Sequence, residues 1–385
     1  MERIYLDNAA ATPLDERVLA AMMPYLTTQY GNPSSLHYFG QQARSAVQKA
    51  RKQVAHCLRV NPQDVVFTSG GTEADNLAIL GYIRANYPQG GHLITTAVEH
   101  HAVLRTFEAM QRNGYDVTIL PVDETGRVQI EDVKKAIRPD TILISVMYAN
   151  NETGVIQPVQ EIGALAQEAG IVFHVDAVQA YGYIPIYPLE DHIDMLTICS
   201  HKIYGPKGVG ALYIRHGLHV AADAYGGPQE HRLRAGTENV AGIVGFGTAS
   251  ALLEKERKDR YIQAAAFKQR LYRELVCQEP FIHLNGTIEH ALPNILNMSI
   301  ADTDSAVLLI ALDLHGIAVS AGSACEAGAV EPSHVLQAMH TEEQWLRSSL
   351  RISVGKENTM EEIDEAICRM KTVFQSGRAK GEYDV

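Results

Sequence analysis

Between Asp64 and about Ile214, short β-branched runs alternate with longer amphipathic stretches. This is the rhythm of parallel strands joined by crossover helices, because each parallel connection needs a dozen or more residues to return to the starting edge. The pattern predicts strands at Val65 to Phe67, Leu93 to Thr95, Val117 to Leu120, Ile142 to Ser145, Ile171 to Val175, Met195 to Ile198 and Gly210 to Ile214. We therefore expect an α/β fold, with a mainly parallel seven-stranded sheet and flanking helices over residues 16–255. A long helix from Asn239 to Lys258 would carry the chain onward. Residues 1–15 and 256–385 are expected to form a smaller α+β domain, with helical patterns at Ile262 to Val276 and Asp304 to His315 and strands at Ile295 to Ser299 and Leu350 to Val354. Gly, Ala and Ser enrichment between Ser320 and Ala329 reads as a mobile loop.

Composition removes several classes of function. The 33 basic and 45 acidic residues give a net charge of −12, which argues against direct nucleic-acid binding. No stretch approaches a membrane span of about 18 apolar residues, and Met1 to Asp7 lacks a signal-peptide core, so we expect no membrane and a cytoplasmic location. Cys57, Cys199, Cys277, Cys325 and Cys368 are scattered, odd in number and without CxxC spacing, while the sixteen histidines show no HExxH pattern. Neither a disulfide framework nor a metal site is expected.

The chemistry gathers where strands end. Ser200-His201-Lys202 follows the apolar run Ile193 to Cys199. A lysine buried there has its ammonium form disfavoured, so its amine becomes nucleophilic and can hold an aldehyde such as pyridoxal phosphate as a Schiff base. Alone, such a lysine reads more readily as a solvated surface group. Thr68 to Glu73 links a strand to a helix through Gly70-Gly71-Thr72, where glycines allow close backbone approach and a helix start favours a phosphate. The same residues also read as an ordinary turn with a threonine cap. Asp176 ends a strand, where it would pair with a pyridine nitrogen or cap a helix. Gln179, one turn on, could bond a ring hydroxyl. His100 follows the strand at Leu93 and offers an aromatic face and a proton-transfer group, or a merely structural imidazole.

In order, Gly71-Thr72, Glu99-His100, Asn150-Asn151-Glu152, Asp176-Ala177-Val178-Gln179, Ser200-His201-Lys202 and Arg234-Ala235-Gly236-Thr237 resemble the class V branch of fold-type I pyridoxal-phosphate enzymes, and within it the group I cysteine desulfurases. The likeness runs from Tyr5-Leu6-Asp7-Asn8-Ala9-Ala10 to about Gly355. It implies pyridoxal 5'-phosphate held covalently by Lys202, with Asp176 on the pyridine nitrogen, Gln179 on the ring oxygen and His100 stacked on the ring. Gly71, Thr72, Ser200 and His201 would hold the phosphate. Thr237 would reach the phosphate of a second subunit, which makes a homodimer. Asn151 and Arg351 resemble the binders of the substrate carboxylate, and a guanidinium can grip a carboxylate bidentately.

Ser320-Ala321-Gly322-Ser323-Ala324-Cys325 sets a thiol among small residues that hinder little motion. A buried, inert cysteine is the bland reading. With Lys202 and downstream Glu331-Pro332-Ser333-His334-Val335-Leu336, the segment resembles the desulfurase motif. The resemblance implies removal of sulfur from L-cysteine to give L-alanine and a persulfide on Cys325, with Lys202, Cys325 and His100 as catalytic residues. A sulfur-acceptor protein, either an iron-sulfur scaffold or a tRNA-thiolation enzyme, would follow. Two departures stand out: Glu326 would oppose thiolate formation at Cys325 if it pointed inward, and the tail after Ile367 looks short for scaffold docking. The rival readings are a class V aminotransferase, a selenocysteine lyase and a catalytically silent sulfur-carrier subunit.

Overall fold

The computed structural model describes residues 2–322 and 332–381. Cys325, Glu326 and most of the stretch expected to be a mobile loop lie outside the described residues.

A short strand at Ile4–Tyr5 (β1) opens the chain, and seven further strands build the central sheet. These are β2 (Val65–Thr68), β3 (His92–Thr96), β4 (Asp116–Leu120), β5 (Thr141–Ser145), β6 (Val172–Asp176), β7 (Met195–Cys199) and β8 (Gly210–Ile214), in the spatial order β2-β8-β7-β6-β5-β3-β4. Four pairings are parallel, and β8 alone runs antiparallel to both its neighbours. The expected mainly parallel seven-stranded sheet is thus the observed one.

Both faces are covered, which is why most strands read as continuous apolar runs rather than alternating ones. Val66, Leu93, Leu143, Met195 and Leu212 pack on the helices Gly71–Asn86 and His101–Arg112 through Leu77, Ala78 and Phe107. Their chain neighbours Phe67, Ile94, Ile144, Leu196 and Ala211 face the opposite side and join the larger core, with Val54 and Phe246. Successive side chains of a strand point to opposite faces, so one run of sequence supplies two cores.

Strand order then positions the site. The chain passes outward from β3 to β4 and returns as β5 on the other side of β3. The connections leaving β3 and β5 therefore diverge, opening a crevice at the carboxyl ends of the strands. Asp176 ends β6, and the segments after β3, β5 and β7 carry His100, Asn151 and Lys202 respectively.

The helix Val240–Leu271 is one unbroken element that continues into a π turn at Tyr272–Val276. It passes positions 255 and 256 without interruption and joins the two helical stretches expected at Asn239 to Lys258 and Ile262 to Val276. It leads to an antiparallel three-stranded sheet in which β10 (Ile295–Ile300) lies between β9 (Ile282–Leu284) and β12 (Ser349–Ser353). Strand β11 (Ile317–Ala318) pairs in parallel with β1, so the N-terminal residues are built into this second unit. Among the described residues no helix is long and apolar enough to cross a membrane.

Gly210 lies where β8 crosses the turn leading into the helix at Gly71. A Cβ there would come within 2.7 Å of the Gly70 carbonyl carbon. Backbone cannot move aside cheaply, so Gly210→Ala should cost about 1–3 kcal/mol. The check is a lower urea midpoint with unchanged slope; an unchanged midpoint would show that the turn yields freely.

Candidate active site

The crevice encloses a cavity of about 430 Å³. That volume suits a small cofactor with its substrate. Its floor comes from β6 and β7, one wall from the helix beginning at Gly71, and another from the segments after β3 and β5. The N-terminal residues Ala9 and Ala10 close it from the second unit.

Lys202 Nζ donates to the carbonyl oxygens of both Ala9 and Ala10. Gln179 Nε2 donates to the same Ala9 oxygen at 2.9 Å. Asp176, the last residue of β6, is buried, and its Oδ1 accepts from Val178 N at 2.9 Å. Burial raises its carboxyl above the ordinary range, against the opposing pull of His100 and Lys202. A cationic ring nitrogen placed against it would supply the countercharge that this burial calls for.

His100 caps the helix His101–Arg112, and its Nδ1 accepts from Ala102 N at 3.1 Å. That bond holds the ring orientation and puts the proton of the neutral imidazole on Nε2. Burial, the largest influence, keeps its pKa low. The capping role and the cavity-lining role coexist. His201 also lines the cavity, and burial draws its pKa down to about 4.

The phosphate end meets its requirement by close approach. Gly71 and Thr72 line the cavity, and a Cβ on Gly71 would lie 2.9 Å from Val178 Cγ2. Ser200 Oγ is fully buried with no hydrogen-bond partner among the described residues. An unpaired buried hydroxyl costs free energy unless a ligand oxygen completes it. The residues present thus fit pyridoxal phosphate at its carbonyl, ring and phosphate ends.

On the opposite side, buried Arg351 donates from Nη1 to Asn151 O at 2.9 Å and from Nη2 to Asp7 Oδ1 at 2.9 Å. Its Nε has no hydrogen-bond partner among the described residues. Asn151 borders the same space. The structure therefore brings Gly71, Thr72, His100, Asn151 and Asp176 together with Gln179, His201, Lys202 and Arg351, and places Ser200 beside them in the chain. Thr237 is not part of this cavity: it is exposed, on a loop that follows the buried Glu230. Among the described residues no cluster has the makings of a metal site.

Sequence reasoning named neither Asp75 nor the Ala9 and Ala10 carbonyls. Asp75 is 1% exposed, lines the cavity, and its Oδ1 has no hydrogen-bond partner among the described residues, with His174 Nε2 3.6 Å away. Its position three residues after Thr72 puts both on one helical face, a signal that periodicity carries. A backbone carbonyl leaves no such signal. Cys199 also borders the cavity, but burial pushes its thiol up to about 12. It is not a thiolate near neutrality.

The chain belongs to the aminotransferase class-V family, whose model matches residues 4–366. Within that family it is 49% identical, over 95% of this chain and 97% of the relative, to a putative cysteine desulfurase IscS 1 of Bacillus subtilis (strain 168). It is 43% identical, over 99% and 96%, to cysteine desulfurase IscS of Dictyoglomus turgidum. The structure of a NifS-like protein superposes with a TM-score of 0.92 at 35% identity, covering 97% of this chain and all of the other. A structure described as SspA in complex with cysteine gives 0.81 at 35%, covering 92% and 99%. These enzymes depend on pyridoxal 5'-phosphate, and the chain is a member of the cysteine desulfurase group.

A buried carboxyl next in the chain to His100 predicts a pH response. Glu99 accepts at Oε1 from Thr96 Oγ1 at 2.6 Å and from Met147 N at 3.0 Å, and burial pushes it up to about 8 from an ordinary 4.5. Between those values the folded state binds more protons than the unfolded state, so this group's contribution to stability is lost as pH rises. Glu99→Gln retains the accepting oxygen and cannot ionise. Its urea midpoint should fall less than that of the wild type between about pH 5 and 8. An identical decline in both proteins would show that Glu99 does not hold its proton.

Proposed function

We propose that this chain removes sulfur from L-cysteine with Lys202 and Cys325 as its catalytic pair, giving L-alanine and a persulfide on Cys325. The supporting observation is the meeting of Lys202, Asp176 and Arg351 in one buried cavity of a cysteine desulfurase family member. Pyridoxal 5'-phosphate, when bound, supplies an aldehyde for the substrate amine and an electron sink that loosens the Cα proton and the carbon–sulfur bond. Lys202 would anchor the cofactor through its amine and move the substrate Cα proton. Asp176 would keep a proton on the ring nitrogen, and Gln179 would bond the ring oxygen. His100 would contact the cofactor and pass protons through Nε2. Gly71, Thr72, Ser200 and His201 would receive the phosphate.

Arg351 and Asn151 take the substrate carboxylate, which fixes the direction of the side chain. Cys325, as thiolate, attacks the substrate sulfur: the sulfur–sulfur bond forms, the carbon–sulfur bond breaks, and the carbon skeleton is protonated and leaves as alanine. Cys199 cannot substitute, because its buried thiol stays protonated. The persulfide then passes to an acceptor protein, an iron-sulfur scaffold or a tRNA-thiolation enzyme.

We further propose a cytoplasmic homodimer. Leu26, Tyr30, Leu36 and Tyr38 are 59%, 74%, 81% and 68% exposed along one stretch of chain, and Tyr225 is 93% exposed. Apolar surface of this extent marks an interface. Thr237, exposed away from its own cavity, would meet the phosphate of the second copy. The division into residues 16–255 and residues 1–15 with 256–385 remains our reading of the domains.

Lys202→Ala should lose the visible absorbance of bound cofactor and all turnover. Cys325→Ser should keep the absorbance and form no persulfide. Mass spectrometry after cysteine addition checks this: an added sulfur on Cys325 is expected, whereas sulfur on Cys199 would reassign the acceptor. Transamination without any added sulfur would favour an aminotransferase.

A further inference from the structure

Glu152 is wholly buried, lines the cavity beside Asn151, and belongs to none of the roles above. Two pieces of chain that are far apart along the sequence from Glu152 converge on its carboxylate. Ser333 Oγ donates to Oε2 at 2.5 Å. Gly322 lies against the same oxygen so closely that a Cβ there would sit 3.0 Å from Oε2 and 3.2 Å from Ser333 Cβ. Gly322 and Ser333 flank the segment that carries Cys325.

Each flank is tied to the substrate side of the cavity in a second way. Ser320 exchanges backbone hydrogen bonds with Arg351, at 3.2 and 2.6 Å. Ser333 caps the helix His334–Ala338 by accepting from Leu336 N at 3.2 Å. That helix places His334 Nε2 3.0 Å from Glu99 O, with its ring 4.6 Å from that of His101. Glu152 is itself held: its N donates to Asn150 Oδ1 at 2.8 Å, and its carbonyl accepts from Asn297 Nδ2 at 3.1 Å. Oε1 remains buried without a hydrogen-bond partner among the described residues. A buried polar atom left unpaired is retained against a cost, which points to a task for the side chain that bears it.

We propose that Glu152 is a positioning residue whose buried carboxylate bonds the Ser333 end of the Cys325-bearing segment and packs closely against the Gly322 end, holding both to the Asn151–Arg351 side of the cavity. Holding the two flanks beside the substrate raises the effective concentration of the Cys325 thiol at the sulfur atom. The proposal rests on the desulfurase reading for its consequence and on Gly322, Ser333 and Glu152 alone for its geometry. Asn151, next in the chain, binds the substrate, so anchor and substrate site share one turn.

The test uses full-length, cofactor-loaded Glu152→Ala, Glu152→Gln and Ser333→Ala. The segment contains Glu326 and Glu331, so a glutamate-specific protease reports on its attachment without reference to turnover, and iodoacetamide labelling of Cys325 gives a second report. In Glu152→Ala, cleavage at these glutamates and labelling should each rise several-fold. Single-turnover persulfide formation should fall about tenfold or more, while cofactor affinity and the cysteine-induced spectral change stay within about threefold. Ser333→Ala should reproduce the effect, and the two losses should not add. Glu152→Gln, which keeps an acceptor for Ser333, should recover most of the wild-type behaviour, and Ser333→Ala carries the test if Glu152→Ala does not fold.

Unchanged cleavage and labelling in Glu152→Ala and Ser333→Ala would overturn the proposal. So would equal losses in cofactor binding, cysteine binding and persulfide formation. A wild-type protein that forms no persulfide would instead defeat the desulfurase reading, and the cleavage experiment would still judge the anchor.

Discussion

A sheet buried on both faces has only its strand ends to offer to polar chemistry, and the rest of this molecule follows from that constraint. The aliphatic rows of β2, β3, β5, β7 and β8 are committed to two opposed cores. Ionisable groups must therefore collect where β3 and β5 diverge, in a setting that withholds water from them. Asp75, Asp176, Glu99 and Glu152 all have raised carboxyl pKa values from burial, while His100 and His201 are lowered. The same desolvation pushes acids and bases toward their neutral forms. A cationic ring and an anionic phosphate entering this space gain interactions that water would otherwise weaken.

The second unit supplies what the sheet cannot. Ala9 and Ala10 reach Lys202 because Asn8 Nδ2 donates to Ser353 O at 3.1 Å and Ala9 N donates to Ser353 Oγ at 2.8 Å. Strand β12, which ends at Ser353, also carries Arg351, whose Nη2 returns to Asp7. One strand thus positions the Arg351 cation at the cavity and the N-terminal carbonyls facing the lysine. Displacing β12 would disturb both.

The parallel sheet was legible because apolar runs and their spacing carry it, and each expected strand of the large sheet lies within about a residue of the observed one. The helix Val240–Leu271 was harder. Its charged block from Glu254 to Lys258 looks like an end, yet Arg257 and Arg260 are buried and the helix continues past them. Arg257 finds Cys57 Sγ at 3.0 Å, and the Arg260 guanidinium lies over the Tyr204 ring at 4.9 Å. Such tertiary partners cannot be read from local charge. Likewise Asp176 and Lys202 announce themselves at strand ends, whereas Glu152 acquires its role only when Gly322 and Ser333 arrive from more than 160 residues away.

The loop bearing Thr237 shows how an exposed residue can be held in place by a buried one. Glu230, His231 and Arg232 have consecutive φ values of 43°, 57° and 68°, all in the left-handed region. Each such residue costs about 1–3 kcal/mol, so the turn needs compensation. It has it in Glu230, whose carboxylate takes Arg51 Nη1 at 2.7 Å and Nη2 at 2.5 Å, together with Phe67 N at 2.7 Å. Removing one partner of such a buried pair leaves an uncompensated charge, at a cost of about 3–5 kcal/mol. Phe67 lies in β2, directly before the turn at Gly70 and Gly71. The exposed loop and the phosphate end of the cavity are therefore anchored to the same strand. In the proposed dimer, a displacement of β2 would shift both the phosphate site of its own subunit and the threonine offered to the other.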